Sequence, residues 1–226
     1  MNFIVYLYFI IGLVDVAADI SGRHMLQLVT KPLLMPVLIL LYARMVSSFV
    51  GKDWFVVAAL LFSWGGDVAL MLAGGERLYF LLGLVSFLVA HVFYILAFGE
   101  VRDMSAPVVL SRRPWLMIPL LAYFMGLVSV VFPALPSDMR VPVAVYTAVI
   151  CAMVSFALAR YRRVGDRSFA LVFGGALLFM ISDSIIAVNK FVCQGHLPMA
   201  GAAIMSTYIV AQYLIVKGMW RNENPA

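Results

Sequence analysis

Hydrophobic and polar positions along this chain fall in long blocks, not in the short amphipathic repeats of a water-soluble domain. Apolar runs, each closed by a brief polar stretch, predict helices over 3–20, 31–50, 53–73, 78–98, 115–132, 141–160, 168–189 and 199–219. A helix rises 1.5 Å per residue, so about 20 apolar residues cross the hydrocarbon core of a bilayer. The pattern therefore predicts an all-α integral membrane protein, a bundle of about eight transmembrane helices forming one domain over 1–226. Prolines punctuate it. Pro32, Pro114, Pro142 and Pro198 suit helix first turns, where a missing N–H costs nothing. Pro36 and Pro119 fall further in and predict bends in the second and fifth helices.

Composition sharpens this. The chain is 65% hydrophobic and 12% charged, with a mean hydropathy of +1.03. Soluble domains are about half apolar and about a quarter charged. Eight spans consume about 160 residues, so the 226-residue chain keeps about 66 for loops, too few per loop to fold a further domain. Cys151 and Cys193 form no spaced metal or redox motif and read as small apolar fillers. The start, MNFIVYLYFIIGLVDVAAD, lacks a basic region and carries two aspartates, which argues against a cleavable signal peptide.

The net charge of +5 would raise nucleic-acid binding in a soluble protein. Here the cations sit at the ends of apolar runs, so they set topology, and the expected partners are the bilayer and a lipid, with no nucleic acid. The loops after helices two, four and six and the C-terminus hold Arg44, Lys52, Arg102, Arg112, Arg113, Arg160, Arg162, Arg163, Arg167, Lys217 and Arg221, eleven in all. The other side holds Arg23, Lys31, Arg77, Arg140 and Lys190, five. The positive-inside rule then places both termini in the cytoplasm, and a bacterial inner membrane is the expected location. A 4+4 parallel pseudo-repeat is also suggested. ALLFSWGGD (59–67) matches ALLFMISD (176–183), and VAHVFYIL (89–96) matches VAQYLIV (210–216).

Ionisable groups inside a bilayer cost several kcal/mol and point to function. Asp15, Asp19, Asp67 and Asp183 all lie within apolar runs. From the predicted helix ends, Asp67 lies about 21 Å deep from the cytoplasmic side, and Asp183 and Asp19 about 24 Å. These three acids share one layer toward the outer side, with Lys31, Asn189 and Lys190 at or just above it. Asp15 and Asp19 are four apart, on one helix face, and Lys190 follows Asp183 by two helical turns. Small residues, Gly65-Gly66 and Ser182, precede Asp67 and Asp183 and permit close helix approach. His91 lies in the inner third and reads as a strut between helices. With His24, His91 and His196 at different depths, a three-histidine zinc site is not expected, nor is any other metal or cofactor. No nucleotide loop, serine elbow or HExxH is present.

TKPLLMP (30–36), LFSWGGDVALML (61–72), FLLGLVSFLVAHVFYILAF (80–98), GGALLFMISDSIIAVNKF (174–191) and TYIVAQYLI (207–215) occur in order over about two-thirds of the chain. In this combination the chain resembles the YhhN family, whose animal members include lysoplasmalogenases. The resemblance implies an eight-helix bundle and Asp67 and Asp183 as a catalytic pair. Lys31, Asn189 and Lys190 would lie nearby, with Asp19 and Tyr208 among the substrate-binding side chains. It also implies the reaction, hydrolysis of the vinyl ether of a lysoplasmalogen to a fatty aldehyde and a glycerophospho-ethanolamine or -choline. Two carboxyls held close in low dielectric keep one protonated, as the general acid, while the other steadies the developing cation. Asp183, in the longer apolar run, is favoured as the acid. The alternatives are a proton-coupled transporter using the same acids and a hydrolase of a different ether lysolipid. Oligomeric state leaves no mark in the sequence.

Overall fold

A computed structural model describes residues 2–74, 76–100 and 108–221. Arg102, one of the eleven cations counted above, lies outside the described residues, as does the side chain of Arg221. The long helices are α1 (Asn2–Ile20), α2 (His24–Met45), α3 (Gly51–Leu72) and α4 (Arg77–Gly99). A short α5 (Val109–Arg112) and a 3-10 turn (Pro114–Met117) lead into α6 (Ile118–Val131), which ends in a second 3-10 turn (Phe132–Ala134). Then follow α7 (Ser137–Ala159), α8 (Asp166–Ala187), a π-helical turn (Val188–Val192) that continues α8 without a break, and α9 (Ala200–Arg221). No strand occurs among the described residues. Eight of these segments are long and apolar enough to cross a membrane.

The chain forms two compact units, Met1–Glu100 and Val101–Ala226, and each carries four of the spans. In the first unit α1 packs on α2, α2 on α3, and α3 on α4. Glycine makes the α3–α4 contact close. A Cβ on Gly66 would lie 2.5 Å from the Phe87 ring, and one on Gly83 would lie 2.8 Å from Leu70. Leu34, Leu38, Leu41, Val56, Leu60 and Tyr94 fill the interior and are fully buried. At the end of the unit where α3 begins, the buried Asp53 accepts hydrogen bonds from Val50 N (3.0 Å), from Lys52 Nζ (2.9 Å) and from the Tyr42 hydroxyl. An acid in the first helical turn suits the positive end of the helix dipole.

The second unit repeats the device. A Cβ on Gly175 of α8 would lie 2.8 Å from the Ala211 carbonyl oxygen of α9, and one on Gly218 would lie 2.9 Å from Val172 N. Where α7 ends, the fully buried Arg160 donates to Ser168 Oγ at 3.1 Å, and Ser168 donates onward to the Gly218 carbonyl at 2.8 Å. Outward faces in both units are apolar. Phe3, Leu13, Leu78, Ile118, Leu121 and Val141 are all more than half exposed. In water such surface would be a liability, but hydrocarbon tails solvate it without cost.

Helix ends depart from expectation mainly in α2, which begins at His24 instead of residue 31 and ends at Met45 instead of residue 50. The polar residues before Pro32 do not stop it, because Gln27 and Thr30 spend their side chains on α1 acids. Ser47 and Ser48, which favour turns, follow its end. Pro32 therefore lies inside α2 with Pro36, and Pro142 lies inside α7, not in first turns. Pro119, conversely, sits at the start of α6 and interrupts nothing. Pro36 has no N–H to give the carbonyl four residues back, that of Pro32. Trp64 of α3 supplies the missing donor, its indole Nε1–H bonding Pro32 O at 2.9 Å. Membrane helices tolerate proline when a neighbour satisfies the freed carbonyl in this way.

Candidate functional site

Each unit encloses a polar centre around a carboxylate on its third span. In the first unit this is Asp67 of α3, which is 4% exposed. Gly66, just before it, admits the Phe87 ring of α4 against the backbone. Tyr8 of α1, fully buried, lies within electrostatic reach of Asp67 and of Tyr94 on α4. Within this unit, α1 thus brings Tyr8 near the carboxyl, and α4 packs against the α3 backbone beside it.

Toward the α1–α2 turn lies a second group. Asp15 is fully buried and accepts a hydrogen bond from Thr30 Oγ1 of α2 at 2.7 Å. Its other oxygen, Oδ2, has no hydrogen-bond partner among the described residues. Lys31 and Asp19 lie within electrostatic reach of it. Asp19 accepts from Gln27 Nε2 at 3.0 Å. The four-residue spacing of Asp15 and Asp19 does place both against α2. The structure brings Asp15, Asp19 and Lys31 together, and it engages both acids with α2 side chains.

In the second unit Asp183 of α8 is half-buried, and its Oδ2 accepts a hydrogen bond from the Tyr146 hydroxyl of α7 at 2.5 Å. Beside it Tyr123 of α6 shares a 2.6 Å hydrogen bond with Ser184 Oγ. Ser184 spends its single proton on the Met180 carbonyl, also at 2.6 Å, so Tyr123 is the donor in that pair. Ser182 donates to the Ile204 carbonyl of α9 at 3.1 Å, the close approach expected of a small residue there.

The remaining second-unit candidates take more local positions. Asn189 lies in the π-helical turn. Its side-chain oxygen accepts from Leu197 N at 3.1 Å and its carbonyl from Gly195 N at 2.7 Å, which closes the α8–α9 connection. Lys190 is exposed. The wide i→i+5 turn that carries it takes the seven-residue spacing from Asp183 out of α register, so the two residues are not two α turns apart. Tyr208 is buried with its ring edge-on to Phe179, centroids 5.4 Å apart. His91 is fully buried on α4.

Sequence reasoning singled out the acids and missed the hydroxyls that donate to two of them, Thr30 to Asp15 and Tyr146 to Asp183. The available signal was weak but physical. A hydroxyl inside an apolar run must find a partner in the bilayer, yet its sequence position does not say on which helix.

Long apolar spans, apolar outward faces and buried polar groups define a multi-pass membrane protein. The chain belongs to the YhhN family, whose family model matches residues 26–219. It is 37% identical to lysoplasmalogenase TMEM86A of Homo sapiens over 174 residues, covering 75% of this chain and 67% of that one. It is 31% identical to lysoplasmalogenase TMEM86B of Homo sapiens over 175 residues, covering 77% and 67%. It is also 31% identical to a lysoplasmalogenase of Mycobacterium tuberculosis over 221 residues, covering 96% of this chain and 78% of that one. No solved structure matches the chain.

Proposed function

We propose that the protein is a membrane-embedded hydrolase of the lysoplasmalogen vinyl ether, with Asp67 and Asp183 as its acid/base pair. The observation that carries the reading is the similarity, over most of the chain, to proteins named for that activity. A buried Asp67 with Tyr8 within electrostatic reach, and a half-buried Asp183 held by the Tyr146 hydroxyl, give it a chemical means.

The reaction needs one proton, one anion and one water. A carboxylic acid protonates the β-carbon of the vinyl ether, and the carbon–carbon double bond becomes an oxocarbenium ion. Water adds to the cationic carbon and gives its proton to the second carboxylate, forming a hemiacetal. The second carboxyl then gives its proton to the glycerol oxygen as the hemiacetal's bond to that oxygen breaks, and the first carboxylate takes the hydroxyl proton, releasing a fatty aldehyde and the glycerophospho head group with both carboxyls restored. One water is consumed and no electrons are exchanged with an outside partner. The division of labour parallels the two-carboxylate chemistry of glycoside hydrolysis, which also passes through an oxocarbenium-like state. Lys31 and Lys190 are the candidates for the phosphate of the head group, with Asp19 and its Gln27 partner beside the first of them. Asn189 and Tyr208 serve by shaping the substrate's surroundings, through the α8–α9 turn and the Phe179 contact.

The test is aldehyde release from lysoplasmalogen by purified protein in detergent, with a chelator present. Asp67→Asn and Asp183→Asn should each lower kcat by about 10²–10⁴-fold, the usual worth of a general acid or base, while eluting like wild type on gel filtration. Wild-type rates in either variant would sink the paired-aspartate mechanism. A well-folded wild type that releases no aldehyde would transfer the same acids to another ether lysolipid or to proton-coupled transport.

A further inference from the structure

Two tyrosines approach Asp183, and hydrogen-bond accounting separates them. The Tyr123 proton goes to Ser184, whose own proton goes to the Met180 carbonyl. The Tyr146 proton goes to Asp183 Oδ2 at 2.5 Å. A phenol has one proton to give, so Tyr146 is the phenol committed to this carboxyl. Hydrogen bonds to an ionised acceptor are about twice as strong as neutral ones and fix its direction, and O–H···O⁻ contacts characteristically fall at about 2.5–2.7 Å. The two groups come from neighbouring helices, α7 and α8, so their geometry is set by helix packing and not by a flexible loop.

We infer that Tyr146 is a positioning residue that holds Asp183 in its carboxylate form, facing the developing cation. The inference rests on the paired-aspartate reading and deepens it by assigning Asp183 its role. It reverses the preference drawn from sequence, where the longer apolar run around Asp183 favoured that residue as the acid. Run length measures how far a group lies from water, whereas a donor on the carboxyl itself acts on its charged form directly. Tyr146 touches no reacting atom in this scheme. It keeps one carboxylate oxygen occupied and so fixes the orientation of the carboxyl.

The experiment compares wild type with Tyr146→Phe, Tyr123→Phe and Asp183→Asn, using an ethanolamine lysoplasmalogen and infrared spectra of the carboxyl region at neutral pH. Tyr146→Phe should lower kcat by about 10- to 150-fold, the worth of one hydrogen bond to a charged group, with KM within about twofold of wild type. Tyr123→Phe should leave kcat near wild type. The band lost in Asp183→Asn should be an ionised carboxylate stretch, displaced in Tyr146→Phe and unmoved in Tyr123→Phe. If the lost band is that of a protonated carboxyl, the role assignment is overturned. Wild-type kcat and an unmoved band in Tyr146→Phe overturn the positioning role, as does a Tyr146→Phe protein that fails to fold, which would make the residue structural. In all three cases an inactive Asp183→Asn leaves the paired-aspartate reading standing. An active Asp183→Asn removes that reading instead.

Discussion

Asp15 shows how finely a single hydroxyl is matched to a buried acid. Its side chain is fully buried, and Thr30 provides a donor to one oxygen at 2.7 Å. Thr30→Val keeps the shape and removes the hydroxyl, leaving a buried acceptor unsatisfied. The expected loss is about 1–3 kcal/mol of stability, read as a lower thermal midpoint in detergent, while Thr30→Ser should stay close to wild type. Asp15→Asn combined with Thr30→Val should lose less than the sum of the single changes, because the two groups form one interaction. An additive double mutant would show that Asp15 draws its support from elsewhere. The contrast with Asp53 is instructive. Its three donors include a lysine, so it is held as part of a helix-start cluster and needs no reactive role.

At the scale of elements, the sequence made the eight spans legible because twenty-residue apolar runs have few other uses. It also made the deep acids legible, since a charge in such a run is conspicuous. The start of α2 was not legible, because Gln27 and Thr30 look like loop residues until Asp19 and Asp15 are seen to occupy them. Nor was the role of Tyr146, whose partner lies 37 positions away on another helix. The glycines fall between these cases. Gly65-Gly66 announced a close contact, but not that the contact is with Phe87. Gly66→Val should destabilise the first unit by about 1–3 kcal/mol through overpacking, and Phe87→Ala should recover part of the loss by removing the clashing ring. Gly175→Val should be at least as costly and resist such rescue, since its Cβ meets the Ala211 backbone carbonyl, which no side-chain substitution removes. Thermal denaturation of the four proteins separates a side-chain clash from a backbone clash.

For the molecule as a whole, the chain divides into two compact units with four spans each, and the repeated ALLF and VA-H/Q strings predict a four-and-four parallel repeat. In each unit the third and fourth spans, α3 with α4 and α8 with α9, meet closely through glycine, and the third span carries the deep aspartate. The sequence could suggest this parallel only through short apolar strings. The matched strings lie on α3 and α4 and on α8 and α9, which pack pairwise within their own units. Orientation in the membrane belongs to the same scale. Eleven cations on one side against five on the other predict a cytoplasmic C-terminus. A fluorescent protein fused there should therefore glow, and an alkaline phosphatase fused there should stay inactive in a bacterial host. The opposite pair of results would invert the assigned topology.

The bond from Trp64 to the Pro32 carbonyl also constrains how the chain is made. Helices of a membrane protein leave the ribosome in order, and α2 arrives with a backbone acceptor that its own Pro36 cannot serve. Lipid tails offer no donor to replace it. The indole that completes α2 is carried by the next helix to be synthesised. The second and third spans are therefore best treated as a single insertion event, a hairpin whose first arm is left chemically unfinished until its second arm enters the membrane beside it.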